Sequence, residues 1–254
     1  MNLRKLFNSL LQPLGYELAR TRDNPGYPSD FSKADVEIIE AVRRCTMAKT
    51  VDKIFPILNA VRHVAQHRIE GSVVECGVWR GGMMMGAARM LLSLGDSTRH
   101  LYLYDTFEGM AEPTEQDTDV KGKKALTRYR EAPRTNTGGV DWCYASIEEV
   151  TENLKSTGYP MDKVHLIKGL VENTLPAGAP ESISVLRLDT DWYASSKHEM
   201  VHLFPRLQRG GVLILDDYGF WQGCRQATDE YFEANRVQMH LVRVDEACRV
   251  GIKL

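Results

Sequence analysis

Short apolar runs alternate with longer amphipathic stretches from about residue 50 to the end of the chain. The apolar runs have the length and the β-branched, leucine and aromatic content of buried strands. Strands are predicted at 72–78, 100–105, 163–169, 183–189 and 211–217. Helices are predicted at 51–69, 81–94, 146–157, 194–208 and 221–234. Strands that alternate with helices form a parallel sheet with right-handed crossovers, so the chain is predicted to be an α/β protein.

The C-terminal segment departs from this alternation. The runs 238–244 and 248–254 are predicted to be two strands joined by a short turn from Asp245 to Ala247. A hairpin of this kind places one antiparallel strand at the edge of an otherwise parallel sheet. The prediction is therefore a mostly parallel, seven-stranded sheet with a C-terminal antiparallel hairpin strand.

The first 50 residues are predicted to be an N-terminal helical extension that acts as a lid on the α/β domain at 51–254. Leu3, Leu6 and Leu10 repeat at helical spacing, which indicates an amphipathic helix. Its apolar face is expected to dock on the protein itself or on a second subunit. A homo-oligomer, a dimer or higher, is therefore expected.

Residues 106–140 form the other segment outside the alternation. They are polar and contain Pro113, Pro133 and the pair Gly138-Gly139. A loop of this length inside a compact domain is usually either functional or mobile. This segment and the N-terminal 50 residues are expected to shape the pocket of the substrate.

Composition excludes several classes of function. The net charge of −2 gives no support to a broad nucleic-acid-binding face. No apolar run approaches the roughly 20 residues that a membrane span needs. The five cysteines are scattered and form no CxxC pair, which favours reduced thiols in a cytoplasmic protein over disulfides or a zinc site.

Acidic residues follow the predicted strands at the points where these strands end. Asp105 closes one strand, Asp189 and Asp191 follow another, and Asp216 and Asp217 end a third. In open parallel sheets, ligands bind beyond the carboxyl ends of the strands. Residues two apart on a strand share a face roughly 7 Å apart, and neighbouring strands lie about 4.8 Å apart, so the two pairs are expected to converge. A hard divalent cation would relieve their repulsion, and ligation by oxygen alone selects Mg²⁺, Mn²⁺ or Ca²⁺ over zinc.

Helix capping is the structural alternative for these acids. Asp217 would cap a helix or turn, and Asp191 would be the N-cap of the helix that begins near residue 194. Capping accounts for one or two acids but not for the matched placement of both pairs.

The stretch VECGVWRGG at 74–82 is a strand, a glycine turn and the start of a helix. Gly77 allows close backbone approach, and the helix N-terminus offers free N–H groups. The dinucleotide pattern GxGxxG is absent. Glu75 would repel a pyrophosphate but suits an ammonium group, and Asp105 is placed to accept hydrogen bonds from ribose hydroxyls. The combination favours S-adenosylmethionine, although Glu75 could instead be a structural acid bound by local N–H groups.

Five segments in this order resemble the macrocin O-methyltransferase family: VECGVWRGG, LYDTFEGM, GLVENTLP, LRLDTDWYASS and GGVLILDDYG. The resemblance covers most of the chain from about residue 40 to 235. It implies a class I S-adenosylmethionine-dependent methyltransferase fold, which is Rossmann-like. It also implies an enzyme that uses S-adenosylmethionine and Mg²⁺ (or Mn²⁺) to methylate a sugar hydroxyl of a glycosylated natural product, a small-molecule substrate.

The resemblance also implies roles for individual residues. Asp189, Asp216 and Asp217 would match the metal ligands of the family, and Asp191 would match its general base. The cofactor site would contain Glu75, Gly77, Asp105, Met47 in the TMAK segment (46–49) and Ser146 in WCYAS (142–146).

Three other functions are weighed against this one. A metal-dependent methyltransferase for catechols or other phenols would use the same carboxylates. An NAD-dependent oxidoreductase is disfavoured by Glu75 and by the missing GxGxxG pattern. A methyltransferase fold without activity is disfavoured because every proposed catalytic acid is present.

Overall fold

The computed structural model describes residues 27–48 and 50–254, and a seven-stranded sheet forms the centre of this part of the chain. The strands are β1 (Ser72–Cys76), β2 (Leu101–Asp105), β3 (Val164–Lys168), β4 (Ile183–Leu188), β5 (Leu207–Leu215), β6 (Val242–Arg243) and β7 (Arg249–Ile252). Their order across the sheet is β3-β2-β1-β4-β5-β7-β6. The pairs among β1 to β5 are parallel, whereas β7 is antiparallel to both of its neighbours. The predicted mostly parallel sheet is confirmed.

Helices connect the strands, and the five predicted ones are present, although the helix predicted at 194–208 ends at His202 and one further helix lies inside 106–140. They are α1 (Lys33–Val42), α2 (Val51–Gln66), α3 (Gly82–Ser93), α4 (Ala125–Glu131), α5 (Ile147–Lys155), α6 (Val171–Thr174), α7 (Tyr193–His202) and α8 (Gln222–Ala234). Short 3₁₀ turns occur at Arg43–Cys45, Met161–Lys163 and Phe204–Arg206. None of the helices in the described ranges is long and apolar enough to cross a membrane.

Both faces of the sheet are buried, because successive side chains of a strand point to opposite sides. Val73 belongs to one apolar core and Val74 to the other. The core on the first face includes residues of α1, α2, α3 and α5, and the core on the second face includes residues of α6 and α7. This double burial explains why the strands are nearly continuous apolar runs rather than alternating ones.

The prediction placed the antiparallel strand at the edge of the sheet, and this detail is wrong. β7 lies between β5 and β6, where it pairs with four residues of β5. The edge strand is β6, which contains two exposed residues, Val242 and Arg243. The more buried strand of the hairpin takes the inner position, because only that position covers its apolar side chains.

Residues 106–140 are fastened to the helices that follow β4 and β5. The indole Nε1 of Trp192 donates to the carbonyl oxygen of Ala111 at 3.0 Å. The backbone N–H of Gln222 donates to the carbonyl oxygen of Thr118 at 2.9 Å. Helix α4 lies inside this segment. These contacts favour the functional interpretation of the segment, as a built wall over the carboxyl ends of the strands.

The structure describes only part of the predicted N-terminal extension. The amphipathic helix expected around Leu3 to Leu11 lies outside the described residues. Helix α1 begins with a capping box between Ser32 and Asp35, and its Ile39 is fully buried in the core on the first face of the sheet. The boundary at residue 50 stays a prediction.

Candidate active site

A cavity of about 630 Å³ opens at the carboxyl ends of β1, β2, β4 and β5. This position is where ligands bind in open parallel sheets. Of the predicted site residues, all but one line the cavity: Met47, Glu75, Gly77, Asp105, Asp189, Asp191, Asp216 and Asp217. The structure thus brings acids from four strand ends and a residue from the N-terminal segment around a single space.

The glycine turn after β1 is braced by Asp105. One carboxylate oxygen of Asp105 accepts the backbone N–H groups of Val78 at 2.8 Å and Trp79 at 3.1 Å, and the other accepts that of Phe107 at 2.8 Å. Gly77 has a φ of +79°, and a Cβ atom there would lie 2.1 Å from the carbonyl oxygen of Asp189. Gly77 is therefore required by the close approach of β4 as well as by the turn itself.

Glu75 ends inside the cavity wall with one oxygen paired and one free. Its Oε1 accepts a hydrogen bond from Arg187, whereas its buried Oε2 has no hydrogen-bond partner among the described residues. Burial raises the pKa of Glu75 to about 7, against the lowering effect of the Arg187 guanidinium. The alternative of a structural acid bound by local N–H groups does not account for Oε2. An orphaned, buried acceptor at a cavity wall calls for a donor from a ligand.

The carboxylates of Asp189, Asp191 and Asp217 converge. Each offers an oxygen, and these three oxygens lie within 4.8 Å of one another. The strand geometry used to predict this meeting is wrong, because β4 ends at Leu188. Asp191 reaches the cluster through a turn in which its φ is +70°. The turn replaces the strand spacing as the cause of the convergence.

Asp216 is held differently from the other three aspartates. Its Oδ1 accepts from Nη2 of Arg187 at 2.6 Å, and its Oδ2 lies 2.6 Å from Nζ of Lys53. Nη1 of Arg187 donates to Glu75 and, at 2.8 Å, to Oδ2 of Asp189. The buried guanidinium therefore bridges the acceptor in β1 to the acids that follow β4 and β5.

Charge in this cluster is out of balance. Burial raises the pKa of Asp189 and of Asp217 well above the usual range. Burial and the charge of Asp189 raise the pKa of Asp191 to about 8. Burial also opposes ionisation of Asp216, but Arg187 and Lys53 outweigh it and lower the pKa of this carboxyl group. Arg187 and Lys53 cannot neutralise all of these carboxyl groups. The remaining negative charge has to be neutralised by bound protons or by a bound cation.

Helix capping does not account for Asp191 or Asp217. Helix α7 begins at Tyr193, and its first N–H donates to Oδ1 of Asp117 at 2.8 Å, not to Asp191. Helix α8 begins after Trp221 with no side-chain cap. The carboxyl groups of Asp191 and Asp217 are instead near each other in the cluster.

Met47 and Ser146 occupy different surroundings. Met47 lines the cavity, and its sulfur lies 3.8 Å from Sγ of Cys143. Ser146 is absent from the lining of the cavity, and its side chain caps α5 by accepting the N–H of Glu149 at 3.2 Å. The capping bond explains why a serine stands at this position, and the role of Ser146 in the cofactor site stays a prediction.

A cluster of three tryptophans, here called the aromatic wall, borders the cavity. The rings of Trp142, Trp192 and Trp221 pack edge to face or tilted, with centroids 5.0 to 6.5 Å apart. Trp142 and Trp221 line the cavity. The guanidinium of Arg128, on α4, lies 4.0 Å from the centroid of the Trp142 ring. The wall offers a broad apolar surface with one cationic group.

Sequence reasoning missed Lys53, Arg187, Asp117 and Glu199, each of which supports the site. Arg187 carried a signal, since an arginine in the middle of an apolar strand has to find buried acids. Lys53 and Glu199 could not be identified from the sequence, because a single charged residue is common on an amphipathic helix and does not indicate a functional role. Asp117 lies in the polar segment 106–140, where a single acid does not stand out.

Comparison with known proteins bears directly on this arrangement. The sequence model of the family described as Macrocin-O-methyltransferase (TylF) matches residues 46–250. The chain belongs to the macrocin-O-methyltransferase family. It is an S-adenosylmethionine-dependent O-methyltransferase, and the predicted family and methyl donor are confirmed.

Two curated relatives are similar to this methyltransferase over most of its length. The mycinamicin III 3''-O-methyltransferase of Micromonospora griseorubida is 30% identical over 192 residues, which are 74% of this chain and 72% of that protein. The 8-demethyl-8-(2,3-dimethoxy-alpha-L-rhamnosyl)-tetracenomycin-C 4'-O-methyltransferase of Streptomyces olivaceus is 33% identical over 171 residues, which are 67% of this chain and 61% of that protein.

The solved structure of the O-methyltransferase NovP is also similar to this chain. It superposes with a TM-score of 0.68 and 27% identity and covers 80% of each chain. The predicted class I methyltransferase fold is confirmed.

Proposed function

We propose that this enzyme transfers the methyl group of S-adenosylmethionine to a hydroxyl group on the sugar of a small-molecule glycoside, with a divalent cation and with Asp191 as the base. The observation that carries the proposal is the convergence of Asp189, Asp191 and Asp217 in the wall of one cavity. The names of the two relatives support a sugar hydroxyl as the acceptor. One relative is named as a 3''-O-methyltransferase of mycinamicin III, and the name of the other contains a rhamnosyl group.

The half of the cavity near β1 fits the amino-acid end of S-adenosylmethionine. Oε2 of Glu75 is a buried acceptor without a partner among the described residues, and an ammonium group would supply the donor. Gly77 keeps the backbone of the turn clear of side-chain bulk, and Met47 covers the cavity from the N-terminal segment. When bound, S-adenosylmethionine supplies a methyl group on a positively charged sulfur.

The carboxyl cluster fits a hard divalent cation. Its donors are all oxygens, which Mg²⁺ and Mn²⁺ prefer, and it has more acids than its two basic side chains neutralise. Asp189 and Asp217 would hold the cation. Asp216 is the third proposed ligand and would exchange its contact with Lys53 for it. When bound, the cation supplies charge that lowers the pKa of a nearby hydroxyl group.

Asp191 is suited to take the proton of that hydroxyl group. It is half-buried within reach of Asp189 and Asp217 but forms no ion pair among the described residues, unlike Asp216. A raised pKa near neutrality makes a carboxylate a stronger base than one in water. The turn that holds Asp191 fixes this base beside the cluster.

The aromatic wall is suited to position the acceptor. Ligand pockets are lined mostly by apolar and aromatic side chains, with few polar groups that set orientation. Trp142 and Trp221 line the same cavity as the acids and would provide such surfaces. Placing the hydroxyl close to the methyl group supplies much of the rate acceleration.

Two substitutions separate the proposed roles. Asp191→Asn should keep the binding of S-adenosylhomocysteine and of Mn²⁺ but lose methyl transfer by at least about 100-fold, since general bases contribute on that order. Asp189→Ala should lose both Mn²⁺ binding and methyl transfer. Titration calorimetry gives the binding constants, and a labelled-methyl assay gives the rates. Full turnover by Asp191→Asn would refute the base, and an active, EDTA-resistant Asp189→Ala would refute the cation site.

Three further features of the protein stay predictions. They are the homo-oligomer expected from the N-terminal helix, the cytoplasmic location and the domain boundary at residue 50. All five cysteines are free in the structure.

A further inference from the structure

Thr190, the residue between Asp189 and Asp191, is held by a buried carboxyl group on α7. Its Oγ1 donates to Oε1 of Glu199 at 2.9 Å. Glu199 is fully buried in the middle of the helix. The carbonyl oxygen of Thr190 accepts from the N–H of Trp192 at 2.8 Å and, more weakly, from Oγ of Ser195 at 3.4 Å. The turn that carries both acids is therefore tied to the helix that follows it.

Packing alone does not hold this turn. The large cavity lies on one side of Asp189, and a second cavity of about 60 Å³ lies on another side, lined by Asp189, Thr190 and Ser195 among others. Asp191 has a φ of +70°, a left-handed backbone conformation that L side chains rarely adopt. A strained turn between two cavities keeps its shape only if hydrogen bonds oppose its relaxation.

Besides Thr190, Glu199 lies next to the buried thiol of Cys76 at the end of β1. Its Oε2 is buried and forms no hydrogen bond within the described ranges. Burial raises the pKa of Glu199 well above its usual range. Burial therefore opposes a further negative charge near the aspartates, and the hydrogen bond to Thr190 is the contact through which Glu199 acts on the turn.

We propose that Glu199 is a positioning residue, which holds the side chain of Thr190 and thereby fixes the turn that brings the carboxylates of Asp189 and Asp191 to one point. It contacts neither of these acids through a hydrogen bond. The inference rests on the proposed roles of Asp189 and Asp191 in cation binding and proton removal.

Matched substitutions test this role. Glu199→Gln keeps an oxygen that accepts from Thr190, and Thr190→Ser keeps the hydroxyl donor, so both should retain kcat and Mn²⁺ affinity within about threefold. Glu199→Leu and Thr190→Val each remove one partner of the bond. Loss of an interaction that orients a ligand residue costs on the order of 10- to 100-fold in metal affinity or activity, and we expect losses of this size in both.

The binding of S-adenosylhomocysteine should change much less than Mn²⁺ affinity in all four variants, because none of them replaces Glu75 or a residue of the glycine turn. The double variant Glu199→Leu/Thr190→Val should lose no more than either single one, since both break the same bond. Should Glu199→Leu fail to fold, Thr190→Val on the turn gives the same readouts.

The wild-type enzyme separates this inference from the proposed function. Methyl transfer and Mn²⁺ binding by the wild type establish that function, and the ratio of each variant to the wild type then tests Glu199. Wild-type levels of both readouts in Glu199→Leu and Thr190→Val would overturn the positioning role. A loss in Glu199→Gln as large as that in Glu199→Leu would also overturn it. If the wild type neither transferred methyl nor bound Mn²⁺, the proposed function would fail and the inference with it.

Discussion

At the scale of single residues, the site contains Glu75 with one oxygen unpaired among the described residues, three aspartates whose carboxylates converge, and Asp216, which is bound by two basic side chains. Glu75 leaves Oε2 without a donor, and Asp189, Asp191 and Asp217 meet within 4.8 Å. Asp216 is bound by Arg187 and Lys53. The neighbours of each carboxylate determine these differences. They are the basis for assigning Glu75 to the cofactor, Asp189, Asp216 and Asp217 to the cation, and Asp191 to proton removal.

Glu75→Gln tests the free oxygen. The substitution keeps the size of the side chain but removes the charge that an ammonium group would meet, so the affinity for S-adenosylhomocysteine should fall by at least about tenfold. Glu131→Gln is the matched control, because Glu131 lines the same cavity from α4 and should leave this affinity unchanged. Titration calorimetry measures both. Equal affinities in Glu75→Gln and the wild type would remove Glu75 from the cofactor site.

The pH dependence of methyl transfer tests Asp191. A base has to be ionised, so the rate should rise with pH through the pKa of this carboxyl group. Burial and the charge of Asp189 raise that pKa to about 8, and a bound cation would shift the rise to lower pH. The measurement is kcat/KM against pH at saturating Mg²⁺. A rate that falls as pH increases from about 6 to about 8 would contradict Asp191 as base.

At the scale of elements, helix α7 contacts both the turn that carries the acids and the segment 106–140. It begins directly after the turn of Asp189 to Trp192, and its Glu199 reaches back to Thr190. Its first N–H is capped by Asp117 from the segment 106–140. The helix therefore joins the acid cluster to the aromatic wall.

Asp117→Ala tests this junction. Asp117 is fully buried and accepts from Thr114 N–H at 2.7 Å, from Oγ1 of Thr114 at 2.9 Å and from the N–H of Tyr193 at 2.8 Å. Loss of these bonds should lower the free energy of unfolding by about 2–4 kcal/mol and raise KM for the acceptor more than KM for S-adenosylmethionine. Denaturant unfolding and steady-state kinetics measure the two effects.

Glu115→Ala is the control for that change, because Glu115 is exposed and pairs with Lys124 on the surface. Its stability and KM values should match those of the wild type. If Asp117→Ala behaved like Glu115→Ala, the proposed junction between α7 and the wall would be wrong.

Strands and helices were predictable from the sequence because burial on two faces leaves continuous apolar runs. The turn at Asp191 was not, since a positive φ depends on tertiary hydrogen bonds that no local pattern records. The capping of α7 by Asp117 could not be predicted either, because Asp117 lies 76 residues before Tyr193 in the chain. Local sequence patterns predicted which acids lie around one cavity, whereas long-range contacts determine how their carboxyl groups are arranged.

At the scale of the whole molecule, the sheet order brings together what the chain separates. β1 lies between β2 and β4, so Glu75, Asp105 and Asp189 approach one cavity although they lie far apart in sequence. The alternation of strands and helices predicted this meeting point. It did not predict Lys53 or Arg187, because the ion pairs of these residues exist only once the strands are side by side.

The central claim is a cation-dependent methyl transfer to a sugar hydroxyl. Its most direct test incubates the purified enzyme with methyl-labelled S-adenosylmethionine and three sets of acceptors: glycosylated small molecules, their sugar-free aglycones, and catechols. Each set is measured with Mg²⁺ and with EDTA. Label is expected on the sugar of at least one glycoside, and only when Mg²⁺ is present. Label on catechols alone, or on a glycoside at an equal rate in EDTA, would contradict it.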